Sequence, residues 1–78
     1  LKLKGGAVAL AEIKLTPSSK AAGSLVGELE LPQGVVIVVV MRGGEVIVPG
    51  GETRLEADDE LLAVTSVERE HELLEALQ

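Results

Sequence analysis

Arg42 is the residue of this chain best placed for binding chemistry. It follows an unbroken apolar run, Val35 to Met41, so its side chain is expected where a strand ends. A guanidinium presents a planar fork of donors that can hold a carboxylate or a phosphate through two parallel hydrogen bonds. The residues alone leave two interpretations open, contact with an anionic ligand and an ion pair at the rim of the sheet. The ion pair, with an acid such as Glu45, is slightly favoured.

A group of acidic residues near the predicted turns is the best candidate for a divalent cation site. Its members are Glu52, Glu56, Asp58, Asp59 and Glu60. Hard cations prefer carboxylate oxygens as ligands. The spacing is not that of a calcium loop, however, and turns of soluble proteins are commonly acidic. Solvated turns are therefore the favoured interpretation.

Catalytic motifs are poorly supported by the sequence. His71, the only histidine, lies between Glu70 and Glu72, where a solvated helix face explains all three residues. A metal site there would need further ligands at helical spacing, such as Glu68 or Glu75. The chain has no cysteine nucleophile, and its Gly-Gly pairs lack the Lys and Ser or Thr that complete a P-loop. We expect no enzyme; the enzymatic alternative is a small hydrolase that uses the acidic turns.

The charge distribution argues against nucleic acid as a partner. The net charge is -6, and residues 28–78 carry three arginines against twelve acids. Such a surface repels phosphate backbones, and the chain has no aromatic residue to stack on a base. No apolar run approaches the roughly 20 residues of a membrane helix. The absence of cysteine suits a cytoplasmic protein.

The apolar run itself predicts the first strand of a β-hairpin, because most of its residues are β-branched. The glycines after Arg42 can reverse the chain, and Glu45 to Val48 return as the second strand. Strand alternation places Val36, Val38 and Val40 on one face of the sheet and the other apolar residues of the run on the opposite face. Both faces are therefore apolar. A chain this short can cover only one of them, so we expect a partner subunit, a second copy, on the other.

Four further elements are predicted around the hairpin. They are a strand from Val8 to Leu15, a short helix Leu25 to Leu29 capped by Ser24, a strand from Glu60 to Thr65, and a closing helix Val67 to Leu77 capped by Ser66. Leu55 is expected as a buried plug. The prediction is a small α+β domain over residues 8–78 with a mainly antiparallel sheet, in the order strand, short helix, hairpin, strand, helix. Residues 1–7 are interpreted as a linker or the tail of a preceding element, and a start at Leu1 instead of Met indicates a piece of a longer chain.

Several short runs, taken in order, resemble a known family. They are Ala22–Leu29, the L-P-x-G-V pattern from Leu31, the R-x-G-x-x-x-x-P pattern from Arg42, and the L-x-x-x-D pattern from Leu55. Over about residues 8–77 this combination resembles the TrkA-C domain, the C-terminal lobe of RCK (regulator of potassium conductance) domains. One departure is Asp58, which stands where the family pattern has glycine.

The resemblance implies a TrkA C-terminal domain-like fold and a cytoplasmic regulatory module. Such a module is usually a homodimer and is attached to or associated with a potassium channel or transporter subunit. Some related domains bind a cyclic dinucleotide or a divalent cation across the dimer interface. By the match at the hairpin, the resemblance points to Arg42, Ile47 and Pro49 as candidate ligand-binding residues. The alternative is a purely structural dimerisation module of another ion transporter, without a ligand.

Overall fold

The chain forms one antiparallel sheet with a short helix packed against one face. The computed structural model describes residues 2–78. Within those residues there are five strands, β1 Lys2–Leu3, β2 Val8–Lys14, β3 Val36–Arg42, β4 Glu45–Ile47 and β5 Glu60–Ser66, and the helix α1, Glu70–Leu77. The strand order is β1-β2-β5-β3-β4, and all neighbours are antiparallel. The predicted α+β class is confirmed. No helix in residues 2–78 has the length and apolar character needed to cross a membrane.

The first residues of the chain pair with the sheet. Lys2–Leu3 lies antiparallel to Val8 and Ala9, and a 3-10 turn over Lys4–Gly6 connects the two strands. Leu1, the start of the expected linker, lies outside the described residues. The boundary at residue 8 stays a prediction, and the sheet crosses it.

The hairpin between β3 and β4 forms as predicted. Gly43 and Gly44 are the two turn residues, with φ of 56° and 84°. Two consecutive positive φ angles match the twist of the flanking strands, and glycine adopts them without a steric penalty. The turn pairs Arg42 with Glu45. The second strand ends at Ile47, one residue before the predicted end, and the following Pro49 has no backbone N–H to donate.

A β-bulge in β3 changes which side chains share a face. Ile37 lies opposite Ala63 and Val39 lies opposite Leu62, so Val38 is an extra residue without a partner on β5. The predicted alternation, which placed Val36, Val38 and Val40 together, is therefore wrong. The bulge lets Ile37 and Val40 face the same side, and both are buried.

The core lies between the sheet and the segments that cover one face, called here the covered face. The buried side chains that form it are Ala11, Ile13, Leu15, Ala21, Ile37, Val40, Leu55, Leu61, Ala63, Leu73 and Leu77. Alternate residues of β2 and β5 supply most of the strand positions, as a half-buried strand requires. Helix α1 contributes Leu73 and Leu77, one turn apart. Leu55 is fully buried, which confirms it as the plug.

The closing helix occupies the predicted residues but begins differently. Val67–Arg69 is a 3-10 turn, and the α-helix starts at Glu70. Ser66 stands at the N-cap of the turn, but its side chain makes no cap hydrogen bond. The helix is held at its other end instead, since Ala21 donates its N–H to the carbonyl of Leu77 at 3.0 Å. Tertiary bonding at the C-terminus thus positions α1.

The predicted short helix is reduced to a 3-10 turn, Val26–Glu28, and Ser24 does not cap it. The backbone N–H groups that a helix would use are bonded to another segment. Gly23 donates to Leu55 at 2.8 Å, and Val26 donates to Thr53 at 2.8 Å. Residues 23–27 therefore run antiparallel to residues 51–55, and this pair of segments covers part of the core.

The opposite side of the sheet carries a second set of apolar side chains. By register they are, apart from Val8 at the start of β2, Leu10, Val36, Val39, Met41, Val46, Leu62 and Val64, and we call this surface the open face. None of the seven is buried, and Val36 and Val46 keep 59% and 68% of their surface exposed. The open face has no covering element among residues 2–78.

Candidate functional site

Arg42 occupies the last position of β3, next to the glycine turn, and its side chain reaches across to the loop before β5. Its Nε lies 2.8 Å from Oδ1 of Asp59, and its Nη2 lies 2.8 Å from Oδ2 of the same carboxylate. This is the two-bond geometry that the guanidinium fork allows. Nη2 also donates to the carbonyl of Arg54 at 2.9 Å. The rim ion pair favoured from the sequence is therefore present, although not with Glu45.

Asp59 is the buried partner of this pair. Its side chain is 1% exposed, and it also accepts the backbone N–H of Glu56 at 2.8 Å. The hydrogen bond from Arg42 is the main cause that lowers the pKa of Asp59, and it outweighs burial, which favours the neutral acid. The same bond raises the pKa of Arg42. The carboxylate is thus ionised and tied to two segments of the chain.

Glu56 is the exposed partner. Its Oε2 lies 2.9 Å from Nη1 of Arg42, and its side chain is 59% exposed, against 33% for the arginine. The guanidinium thus has a buried side bound to Asp59 and an outer side bound to Glu56. Sequence reasoning named both acids, but as a cation candidate and not as partners of Arg42. The signal that was available is the L-x-x-x-D pattern, which ends on Asp59.

The turn that presents Asp59 has an unusual backbone. Asp58 has a φ of 72°, the only positive value of a non-glycine residue among residues 2–78. Its N–H donates to the carbonyl of Leu15 at 2.9 Å, and the N–H of Leu15 donates to the carbonyl of Asp59 at 2.9 Å. These two bonds fix the turn against the end of β2. The left-handed conformation explains why glycine is expected here, and aspartate is one of the few other residues that tolerate it.

Ile47 and Pro49 lie beside Arg42 along the hairpin. Ile47 is the partner of Val40, so it points to the same side of the sheet as Arg42, and it packs against the core. Pro49 follows β4 and is half-buried. Register places Arg42 and Ile47 on one side of the hairpin, whose outer strand β4 is the edge strand of the sheet in residues 2–78. Their role in ligand binding stays a prediction.

The other chemical candidates are dispersed. No group of three or more Asp, Glu, His or Cys side chains within residues 2–78 could hold a metal ion. His71 makes an i,i+4 pair with Glu75 at 2.6 Å, and its side chain is 84% exposed. The arrangement agrees with the solvated helix face expected for this histidine.

A groove that the sequence did not reveal lies at the end of the three central strands. It has a volume of about 190 Å3 and is lined by Glu12, Ile13, Lys14, Met41, Glu60 and Leu61. The register places Glu60 opposite both Lys14 and Met41. Only the strand order could have shown this, because the three residues come from distant parts of the chain.

The chain is similar in sequence to proteins of potassium uptake systems. The sequence model of the TrkA-C domain matches residues 10–78. The chain is 39% identical over 64 residues to the Trk system potassium uptake protein TrkA homolog of Archaeoglobus fulgidus, covering 82% of this chain and 15% of that protein. It is 38% identical over 73 residues to the Trk system potassium uptake protein TrkA of Mycobacterium tuberculosis, covering 94% of this chain and 33% of that protein. The chain therefore spans a third or less of these relatives.

A solved structure has the same fold. It is described as the structure of an RCK domain with cda, and its TM-score with this chain is 0.76. The two are 27% identical, and the alignment covers 90% of this chain and 99% of the other. The likeness thus extends over almost the whole sheet and its covering segments.

Proposed function

Because this chain belongs to the TrkA-C domain family, we propose that it is a non-catalytic regulatory domain of a potassium uptake or channel system. It works in the cytoplasm, at the inner face of the membrane, through a transporter or channel subunit. It forms a homodimer and senses a small ligand. The names of the curated relatives support the link to potassium uptake, and the physical argument for assembly comes from the sheet.

The open face is the observation that carries the proposal. Its exposed valines, Val36 and Val46, lie on β3 and β4, with the half-buried Leu62 and Val64 of β5 beside them. Apolar surface exposed to water costs roughly 25 cal/mol for each Å2 that a partner could bury. A monomer gains nothing from apolar residues at these positions. A second copy that packs on the open face removes them from water in both protomers at once.

The ligand site belongs to the hairpin next to this surface. Arg42 supplies a cation, and Ile47 and Pro49 supply apolar surface, a combination that suits an anionic ligand with flat rings, such as a cyclic dinucleotide. The structural relative solved with cda supports a ligand in this domain type. A ligand bound at the Arg42 side of the hairpin, which faces away from the open face, favours one arrangement of the dimer only by the difference in its affinity for the two arrangements.

A second candidate function is a purely structural dimerisation module of another ion transporter. One observation favours it, namely that the guanidinium of Arg42 is already bound by Asp59 and Glu56. A site whose cation is satisfied internally has less to offer an anion. In this second function the open face is still the dimer interface, and no ligand binds at the hairpin.

Sedimentation and titration calorimetry of the chain separate these functions. We expect a dimer whose assembly is weakened at least tenfold by Val46→Glu, because a charge would be buried in an apolar interface. Leu74→Glu is the matched control, since Leu74 is also exposed, at 37%, but lies on α1 on the other side of the sheet.

Calorimetry with cyclic diadenosine monophosphate, cyclic diguanosine monophosphate, Mg2+ and Ca2+ tests ligand sensing. A dimer that takes up none of these probes supports the structural module, and a monomer at all concentrations contradicts both functions.

A further inference from the structure

The two sides of the Arg42 guanidinium differ in how firmly they are occupied. Nε and Nη2 are directed to Asp59, whose side chain is 1% exposed, whereas Nη1 is directed to Glu56, whose side chain is 59% exposed. A solvent-exposed ion pair contributes little, because water screens the charges and both side chains lose freedom. The outer partner is therefore the one that another anion could replace.

Asp59 cannot be exchanged in the same way. Its carboxylate accepts two bonds from Arg42 and one from the backbone of Glu56, so its departure would leave buried donors without an acceptor. Any anion that approaches Arg42 from solvent consequently meets the side chain of Glu56 first.

The backbone of Glu56 is anchored independently of its side chain. Its N–H donates to Asp59 Oδ2 at 2.8 Å, and its carbonyl accepts the N–H of Asp59 at 3.2 Å. The side chain can therefore rotate away from Arg42 while the turn and the buried pair stay in place.

We propose that Glu56 is an internal competitor for the anion-binding side of Arg42, so that an anionic ligand binds at the hairpin by displacing the Glu56 carboxylate. This inference rests on the proposed ligand-sensing function and adds a residue that sets its affinity. The displaced group carries a single negative charge. A phosphodiester likewise carries one negative charge and offers two free oxygens to the vacated Nη1, so phosphate-bearing ligands are the class that we expect to replace the Glu56 carboxylate.

Two single-charge variants test the competition directly. Glu56→Gln keeps the size of the side chain and removes its charge. Glu45→Gln removes one charge from the residue opposite Arg42 in the hairpin, and no ion pair joins Glu45 to Arg42 among the described residues. The probe is cyclic diadenosine monophosphate, titrated calorimetrically into the chain and each variant at low salt. Both substitutions are at exposed positions, and unchanged thermal unfolding verifies that each variant folds.

Competition predicts that Glu56→Gln binds the probe about fivefold more tightly than the wild-type chain, the size expected for an exposed ion pair. Glu45→Gln should change the affinity less than about twofold, since it acts only through a screened charge. Binding by Glu56→Gln when the wild-type chain shows none also supports the inference. Equal gains in the two variants, or weaker binding by Glu56→Gln, overturn it and leave ligand sensing intact. Absence of binding in all three chains overturns both, while the sedimentation result still decides the assembly.

Discussion

The covered face and the open face of the sheet carry similar residues in very different surroundings. On β5, Leu61 and Ala63 point to the covered face and are fully buried, whereas Leu62 and Val64, their neighbours, point to the open face and are half-buried. On β3 the contrast is wider, because Val40 is fully buried and Val36 is 59% exposed. The same strands therefore present two apolar surfaces, and one copy of the chain buries only the covered face.

The polar groups of the two faces differ in the same sense. Near the covered face, no buried side-chain nitrogen or oxygen of the described residues lacks a hydrogen-bond partner, and Asp59 is held by Arg42 and the backbone of Glu56. The polar residues bordering the open face, such as Glu12 and Glu60, are exposed. The covered face is complete in one protomer. The open face has the apolar composition of a core but no covering element within residues 2–78, which is why we propose that a second copy covers it.

The largest effect should come from one pair of neighbours on β5. Leu61→Ala should lower the free energy of unfolding by about 3 kcal/mol, because it opens a cavity in a fully buried site. Leu62→Ala should cost the protomer less than about 1 kcal/mol and should weaken self-association instead. Urea unfolding measures the first quantity, and sedimentation measures the second. Equal losses of stability with no change in association would remove the distinction between the two faces.

Breaking the Arg42–Asp59 pair, which lies on the covered side, should give the next largest loss of stability. Asp59→Asn should destabilise the chain by about 2 kcal/mol, which is less than the roughly 3–5 kcal/mol of a fully buried pair because Arg42 is partly exposed. It should leave self-association unchanged at protein concentrations where the variant is folded.

The pH dependence of the same pair has a defined sign. The pKa of Asp59 lies below its ordinary value of 3.8 in the folded chain. The stability that ionised Asp59 contributes is therefore complete above the ordinary pKa. It is lost as the pH falls through the lowered pKa, where the folded state must take up the proton. The difference in stability between wild type and Asp59→Asn should shrink on acidification below about pH 4. A difference that stays constant down to pH 2 would show that the charge of Asp59 is not what stabilises the loop.

Much of the sheet could be predicted because its signals are local. The strand predicted from Val8 to Leu15 and the turn at the two glycines after Arg42 depend only on neighbours in sequence, and both predictions are confirmed. The bulge at Val38 could not be predicted. It depends on the register between β3 and β5, and a uniform run of β-branched residues contains no mark of where one residue is extra.

The candidate site was harder to predict for a related reason. The sequence identified Arg42 and expected an ion pair, but its partner Asp59 is 17 residues away and is brought close only by the strand order. The prediction of the short helix was wrong for the same reason, because distant residues decide its hydrogen bonds. Ser24 as a capping residue indicated a helix at Leu25–Leu29, yet the hydrogen bonds of Val26 and Gly27 go to the loop at residues 51–53.

Gly27→Ala tests the loops that cover the core. The N–H of Gly27 donates to the carbonyl of Gly51 at 2.9 Å, and a Cβ at Gly27 would lie 3.0 Å from that oxygen. The two segments must then separate slightly, and we expect a loss of about 1 kcal/mol in unfolding free energy. Gly51→Ala is the control, because its nearest contact with a Cβ, at 3.8 Å, is ordinary packing. Equal losses in both variants would show that the crowding at Gly27 is not what limits the substitution.

Asp58→Gly should have the smallest effect, and it should be a gain. Asp58 holds a φ of 72°, which costs an L-residue free energy that glycine does not lose. Glycine also adds freedom to the unfolded chain, so the net gain should be only about 0.5 kcal/mol. Asp58→Ala separates the causes, since alanine lacks both the freedom of glycine and the tolerance of aspartate, and it should destabilise by about 1 kcal/mol. Because the turn lies on the covered side, none of these variants should alter self-association. A change in self-association with Asp58→Gly would mean that the turn contributes to the interface. The two faces would then no longer be independent.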